Sequence, residues 1–182
     1  QMKEYEAEFD QMLFYLPLAG SAFKKVYYDE IMQRAVSKFV PADDLVVPYT
    51  ATSLDDAESV IHVVRMSENE VRKKQVGGFY RDIELNPAHL METELQEKEK
   101  KIEGVTKGRD ERIYTILECH INLDIEGFED VDPQTGDFTG IKLPYVVALE
   151  EGTRKVLSIR RNYEVKDPKK EKIQYFVHFK FL

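Results

Sequence analysis

Side chains that could carry out chemistry are few in this chain and widely spaced. The single cysteine, Cys119, permits no intrachain disulfide, and we expect it to be a small buried hydrophobic residue. No two of the four histidines have the i, i+2 or i, i+4 spacing that metal ligands share on one strand or helix, and no nucleophile–base pair is visible. The histidines are His62, His89, His120 and His178. The sequence therefore predicts neither a metal site nor a cofactor, and it predicts that the protein is not an enzyme.

One acidic stretch invites a calcium interpretation. Asp130, Asp132 and Asp137 lie close together around a glycine. An EF-hand loop places its glycine at the sixth position and a glutamate at the twelfth, and this stretch has neither. The pattern therefore favours a structural turn.

Basic residues are concentrated near the end of the chain. Positions 153–182 hold nine Lys and Arg against three Asp and Glu, although the whole chain has a net charge of −8. Such a run is either a solvated hairpin face or a contact surface for an anionic partner, DNA or an acidic protein. The candidate contact residues are Arg154, Lys155, Arg160, Arg161, Lys166, Lys169, Lys170 and Lys172.

The elements that must position these residues begin with a long strand over 112–126. Its apolar residues, such as Leu117 and Cys119, alternate with polar ones, such as Glu118 and His120, so the pattern predicts one buried and one exposed side. The stretch is far longer than the usual strand of about 5–6 residues, and we expect it to bend or to cross between sheets.

Three further strands are predicted over 141–149, 155–163 and 173–182, which together with the first make an antiparallel meander. Between the second and third we expect a tight turn in which Gly152 has a positive φ.

The first half of the chain mixes helix and strand patterns. A helix is predicted over 3–16, with Pro17 ending it, and a hairpin is predicted from strands over 22–28 and 35–40. A further strand is predicted over 59–66.

Helix starts are visible at two later points. Ser67 and Glu70 have the spacing of a capping box, which predicts a short helix that ends before Gly77. Asn86 followed by Pro87 predicts a second helix over 86–102.

Length and composition are those of a globular chain. With 182 residues, 42% of them hydrophobic, it can form a core in one domain or in two small ones. No run approaches the roughly 20 apolar residues of a membrane helix, so we expect no membrane partner. The chain opens inside a helix pattern and stops inside a strand pattern, and we expect a fragment of a longer protein. The predicted fold class is α+β: an N-terminal mixed helix/strand region followed by an antiparallel β meander.

Three stretches together resemble the portal proteins of tailed bacteriophages, of the type found in many short-tailed phages. They are 13–29, LFYLPLAGSAFKKVYYD; 40–54, VPADDLVVPYTATSL; and 111–120, ERIYTILECH. The resemblance is one of pattern over most of the chain and includes no catalytic motif.

The resemblance implies a structural role in the virion. Such proteins form rings, typically dodecamers, at one capsid vertex, through which DNA is packaged and ejected. They are assembled in the host cytoplasm and meet the terminase large subunit, the capsid, scaffold and head-completion or tail proteins, and weakly the passing DNA. The resemblance implies a wing-like region over 1–85, a stem-like helix over 86–108 and a clip-like antiparallel β region over 109–182. An acidic channel surface would let DNA pass without holding it.

A second hypothesis comes from a different class of protein. The chain could be a stand-alone α+β protein-binding module that offers the exposed edge of its meander to a peptide strand. A module of this kind is monomeric, whereas a ring requires head-to-tail contacts that close.

Overall fold

Two antiparallel sheets and two α-helices form the part of the chain that the structure, a computed structural model, describes: residues 2, 4–29, 32–85 and 113–181. The α+β class is therefore confirmed. The helix predicted over 86–102 lies outside the described residues. The elements are α1 (Tyr5–Ala19), β1 (Ser21–Asp29), β2 (Arg34–Val40), a 3₁₀ turn (Ala42–Asp44), β3 (Leu45–Val46), β4 (Ser59–Ser67), α2 (Glu68–Val76), β5 (Ile113–Leu123), β6 (Leu143–Glu150), β7 (Val156–Arg161) and β8 (Phe176–Lys180).

The sheets combine strands from distant parts of the chain. The smaller sheet has the order β2-β1-β8, and the larger has the order β3-β4-β5-β6-β7. β5, β6 and β7 form the predicted meander, but the expected fourth strand leaves it and pairs with β1, with Phe176 opposite Lys25. Burial of Phe176 to 3% exposure against the first strands favours this partner over β7.

β5 occupies the middle of the larger sheet, paired with β4 and β6 on its two sides. Of the two alternatives expected for its length, bending or crossing between sheets, the second was wrong, because β5 pairs only within the larger sheet. So was the assignment of its polar side to solvent, because Glu118 and His120 contact side chains of the smaller sheet. Alternation separates the two faces of a strand but does not say which face a second sheet covers.

The apolar side of β5 surrounds the buried Cys119, which is 7% exposed, as expected for a small hydrophobic residue. Leu117 and Ile121, on the same side, are only half-buried. On the opposite side Tyr114 and Ile116 are buried beneath α2 and the chain that follows it.

α1 runs through Pro17, which therefore does not end the helix as expected. A proline in the last turn removes only one hydrogen-bond donor, and the end is set instead by Gly20. Gly20 has a left-handed φ of 71° and donates its N–H to the Leu16 carbonyl.

α2 begins as predicted. The Ser67 hydroxyl accepts from the Glu70 N–H at 3.4 Å, and the Glu70 carboxylate accepts from the Ser67 N–H at 2.9 Å. Both members of the capping box are thus present. The helix ends at Val76, immediately before Gly77.

The turn between β6 and β7 is built differently from the expectation. Arg154, not Gly152, has a positive φ, of 55°. The carboxylate of Glu150, which is wholly buried, accepts from the Gly152 N–H at 2.9 Å and the Thr153 N–H at 2.6 Å. The turn is therefore held by the buried Glu150 carboxylate, which accepts from its amides, and not by a positive φ at Gly152.

Candidate anion-binding cleft and the polar core

The eight predicted basic residues do not form one surface. Lys155 precedes β7, whereas the turn that carries Lys169 follows it. β7 lies between them in the chain, and its six residues alone span roughly 20 Å.

Four of the eight have their cationic groups engaged within the protein. Lys155 Nζ donates to the Glu84 carbonyl at 2.7 Å, and Arg160 donates to the Phe79 carbonyl at 3.2 Å. The Arg160 guanidinium also lies 3.4 Å from the centre of the Phe79 ring. The other two are Lys170, which pairs with Asp130, and Lys172, which donates to the carbonyls of Leu54 at 3.0 Å and Ala57 at 3.2 Å.

The other four side chains reach solvent. Arg161 is exposed and lies 5.5 Å from the centre of the Phe128 ring. Lys169 lies 3.8 Å from Glu171, and because both side chains are over 70% exposed this pair contributes little. Arg154 and Lys166 are exposed as well.

Three of the predicted residues meet in a cleft of about 290 Å³. Lys169, Lys170 and Lys172 line it together with Lys142, and Asp130 is the acidic residue in its wall. Sequence reasoning missed Lys142, because nothing local connects it to a turn that follows more than two dozen positions later.

The cleft lies between two loops with defined shapes. In one, Asp132 accepts from the Gln134 N–H at 2.7 Å, so this acidic stretch is a turn, as expected. In the other, the Asp167 carboxylate accepts from the N–H groups of Lys169 at 3.1 Å and Glu171 at 3.2 Å. Lys170 and Lys172 then fasten this second loop to its surroundings.

Asp130 keeps its negative charge in the cleft. Hydrogen bonds from Lys170 and Thr139 lower the pKa of its carboxyl, and the charge of Lys170 acts in the same direction. The carboxylate therefore neutralises one of the four lysines at neutral pH.

A second polar site lies between the sheets. Lys25 of β1 donates to Glu118 of β5 at 2.5 Å, and His120 donates to the same carboxylate oxygen at 2.8 Å. The rings of His62 and His120 both lie edge-on to Phe176, at 5.7 and 5.2 Å between centres. The cross-strand register places His62 directly opposite Glu118.

Burial and charge set the protonation of this polar core. Burial raises the pKa of Glu118, but the hydrogen bond from His120 and the charge of Lys25 outweigh it, so that the pKa lies below its ordinary value. Burial and the nearby Lys25 lower the pKa of His62 to about 4. The Nδ1 atom of His62 is buried and has no hydrogen-bond partner among the described residues.

The polar core is closed to anything larger than water. A small cavity of about 20 Å³ reaches His120 and Asn162, and a space of that size holds about one water molecule. The cluster can therefore link the sheets but cannot take a substrate in this structure.

One pair resembles the start of a hydrolase site and was not visible in the sequence. The Ser21 hydroxyl lies 2.6 Å from Nε2 of His178, across the pairing of β1 with β8. The His178 ring stacks on Phe23, with 4.5 Å between centres. Neither cavity described above includes Ser21 or His178, and the pair joins β1 to β8.

α1 presents apolar side chains to solvent. Leu13 is 48% exposed, Phe14 69% and Leu18 74%, whereas Met12 is buried against β1 and β2. A helix that is apolar around most of its circumference normally packs against something on every side. The described helices include none long and apolar enough to cross a membrane.

No protein-family model matches the chain, and a search of curated proteins returns no match.

Proposed function

We propose that this chain is part of a subunit of a phage portal ring, through which DNA is packaged and ejected at one vertex of the virion. Two of the stretches that resemble portal proteins, 13–29 and 111–120, contribute to α1, β1 and β5. In this proposal the subunit assembles in the host cytoplasm as a dodecamer, and its docking partners are the terminase large subunit and capsid, scaffold, head-completion and tail proteins.

The observation that carries the proposal is the exposed apolar end of α1. Phe14 and Leu18 are the most exposed large apolar residues of this helix, and Leu13 and Tyr15 lie beside them. Contiguous apolar surface of this kind marks an interaction site in a soluble protein. A head-to-tail ring covers one such face of every subunit with a different face of its neighbour.

Charge is consistent with weak contact to DNA. Outside positions 153–182 the chain carries 31 acidic and 17 basic residues. A surface with this excess of negative charge repels phosphates and lets DNA slide. The basic residues near the end of the chain are then left for an acidic docking partner.

The decisive experiment is the mass in solution, by light scattering, of the full-length polypeptide that contains these residues. A closed ring of about a dozen subunits, seen also by electron microscopy, is the expected result. A monomer at all concentrations and salt conditions would overturn the proposal.

Docking provides a separate test of the basic residues. We expect Arg161→Gln with Lys166→Gln to weaken binding of the terminase large subunit, more strongly at low salt than at high salt. Arg160→Gln is not suitable, because Arg160 holds the Phe79 segment. Docking that is unchanged at low salt would show that Arg161 and Lys166 do not contact the docking partner.

A peptide-binding module is the second candidate, and the edge of β8 favours it. The hydrogen bonds Val26 N–H to Tyr175 O and Phe181 N–H to Gly20 O fix the alternation along this strand. The amides and carbonyls of His178 and Lys180 therefore point away from β1, and no described strand pairs with them.

Two other edges of the described sheets, those of β2 and β7, each have a hydrogen-bond partner outside the sheet. The Glu8 carboxylate accepts from the Phe39 N–H of β2 at 2.5 Å, and the Arg81 N–H donates to the Leu157 carbonyl of β7 at 2.8 Å. The candidate edge is therefore that of β8, which lies in the strand predicted over 173–182 to end the meander and which pairs in the smaller sheet. Hydrogen exchange tests it: the His178 amide should exchange fast while the Phe179 amide is protected, and equal protection would mean that the edge is already occupied.

A further inference from the structure

The lysine-lined cleft has an excess of positive charge that its own residues do not balance. Its wall contains four lysines, at positions 142, 169, 170 and 172, and one aspartate, Asp130. In a chain with a net charge of −8 this is a local reversal of sign. An anion in the cleft would relieve the repulsion among the ammonium groups.

Two of the four lysines are held in place by the protein itself. Lys170 is fixed by Asp130, and Lys172 is fixed by the Leu54 and Ala57 carbonyls. The loop that carries both lysines is shaped by Asp167, whose carboxylate accepts from the Lys169 N–H. A site whose cations are already positioned loses less conformational entropy on binding than a set of free surface side chains.

Exposed cations complete the cleft at its mouth. Lys142 and Lys169 are exposed, and the exposed pair of Lys169 with Glu171 at 3.8 Å contributes little. Leu143, Pro144 and Pro168 form apolar parts of the wall, where ion attraction is screened less than in open water. Two exposed ammonium groups together with two anchored ones suit a compact, multiply charged anion.

The chemistry of the donors favours a phosphate group over a carboxylate. Lysine binds phosphate as a point charge, and a phosphate group carries a charge of about −1.5 to −2 and three acceptor oxygens, so it satisfies several ammonium groups where a carboxylate carries one charge. The volume of about 290 Å³ accommodates a phosphate with part of its attached group. The backbone amides of Lys169 and Glu171 are already used by Asp167, so binding depends on the ammonium groups.

We propose that the cleft formed by Lys142, Lys169, Lys170 and Lys172 is a phosphate-binding site. The ligand is a phosphate group, either as a free anion or as part of a nucleic-acid backbone. The site is formed within one chain, so it does not rest on ring assembly, and its failure would leave the portal proposal untouched.

The test titrates the protein with inorganic phosphate by calorimetry at low ionic strength, with chloride at equal ionic strength as the reference. Lys142→Gln and Lys169→Gln should each weaken binding by about tenfold, the usual effect of losing one charge-assisted hydrogen bond. Lys73→Gln is the matched control, because Lys73 is an exposed lysine of α2 that does not line the cleft. It should leave binding unchanged.

A second arm uses a labelled DNA duplex of about a dozen base pairs, followed by fluorescence anisotropy in the same variants. Duplex binding that Lys169→Gln weakens identifies a nucleic-acid backbone as the source of the phosphate. Phosphate binding without duplex binding identifies a free anion, and either result supports the site. No saturable phosphate binding, or equal losses in Lys73→Gln and Lys169→Gln, overturns the proposal whatever the duplex does.

Discussion

A few polar residues join the two sheets, and they come from distant parts of the sequence. Glu118 and His120 are alternate residues of β5, and Lys25 comes from a strand more than ninety positions earlier. The Lys25 and Glu118 side chains are only 11% and 23% exposed. A charge that is held between sheets in this way is costly to leave without its partner.

We expect Glu118→Ala to lower the free energy of unfolding by about 3 kcal/mol, since it leaves the Lys25 ammonium buried without a carboxylate. The double variant Lys25→Met with Glu118→Leu should recover most of this loss, because no unpaired charge remains. Urea denaturation followed by circular dichroism measures both. Asp82→Ala, which breaks the exposed pair of Asp82 with Arg72, is the control and should cost under about 1 kcal/mol. A Glu118→Ala cost no larger than that of the control would contradict the expectation.

His62 should make stability depend on pH. The pKa of His62 is about 4 in the folded protein, against an ordinary 6.5. Between these two pH values, His62 is protonated in the unfolded chain but neutral in the folded protein. Stability therefore falls as the pH drops from about 6.5 to 4, by about 3 kcal/mol in total.

The variant His62→Leu isolates this effect. Urea unfolding of both proteins between about pH 7 and pH 4.5 should show a shallower decline in the variant, by close to one proton. Glu118 does not interfere in that range. Because its pKa in the folded protein lies below the ordinary value, the stability that its charge contributes is lost only at more acidic pH. His178, whose pKa burial also lowers, is present in both proteins and cancels. Parallel declines would show that His62 is not the group that titrates.

At the scale of elements, local signals located most helices and strands but not their partners. The capping box, the hairpin of β1 with β2, and the strands from β4 to β7 follow from residue types within a few positions of each other. The pairing of β8 with β1 depends on the burial of Phe176 against residues more than a hundred positions away. The strand propensities of single residues contain no information about such long-range contacts.

The same limit applies to the candidate site. The basic run identified Lys169, Lys170 and Lys172, because their charges are adjacent in sequence. It also included Lys155 and Arg160, whose cationic groups bind carbonyls of the segment after α2. Charge pattern locates basic residues but not the acceptors that fold against them.

The capping box provides a prediction for α2. Ser67→Ala should lower the free energy of unfolding by about 1 kcal/mol, because the Glu70 N–H loses its acceptor and Glu70 loses the hydroxyl that holds it. Ser67→Thr keeps the hydroxyl and should remain within a few tenths of a kcal/mol of the parent. Thermal unfolding gives the comparison. Equal losses in the two variants would indicate that packing at Ser67, and not the cap, is responsible.

For the whole molecule, the two sheets depend on each other. Each takes strands from before residue 86 and after residue 112, and Lys25 with Glu118 joins them. Unfolding of the described part should therefore be cooperative. The outer face of α1 takes no part in this interior, since Phe14 and Leu18 contact solvent while Met12 faces the sheet.

This separation allows assembly to be tested without disturbing the fold. We expect Phe14→Glu with Leu18→Lys to leave the unfolding temperature of the chain nearly unchanged, because both side chains are more than two-thirds exposed. The same variant should prevent the full-length polypeptide from forming a ring, because it places charges where a neighbouring subunit would bury apolar surface. Gln11→Glu, on an exposed position of the same helix, controls for added charge and should still assemble. Light scattering distinguishes the outcomes, and a ring that forms normally from the double variant would place the subunit contact elsewhere and leave the apolar end of α1 to another partner.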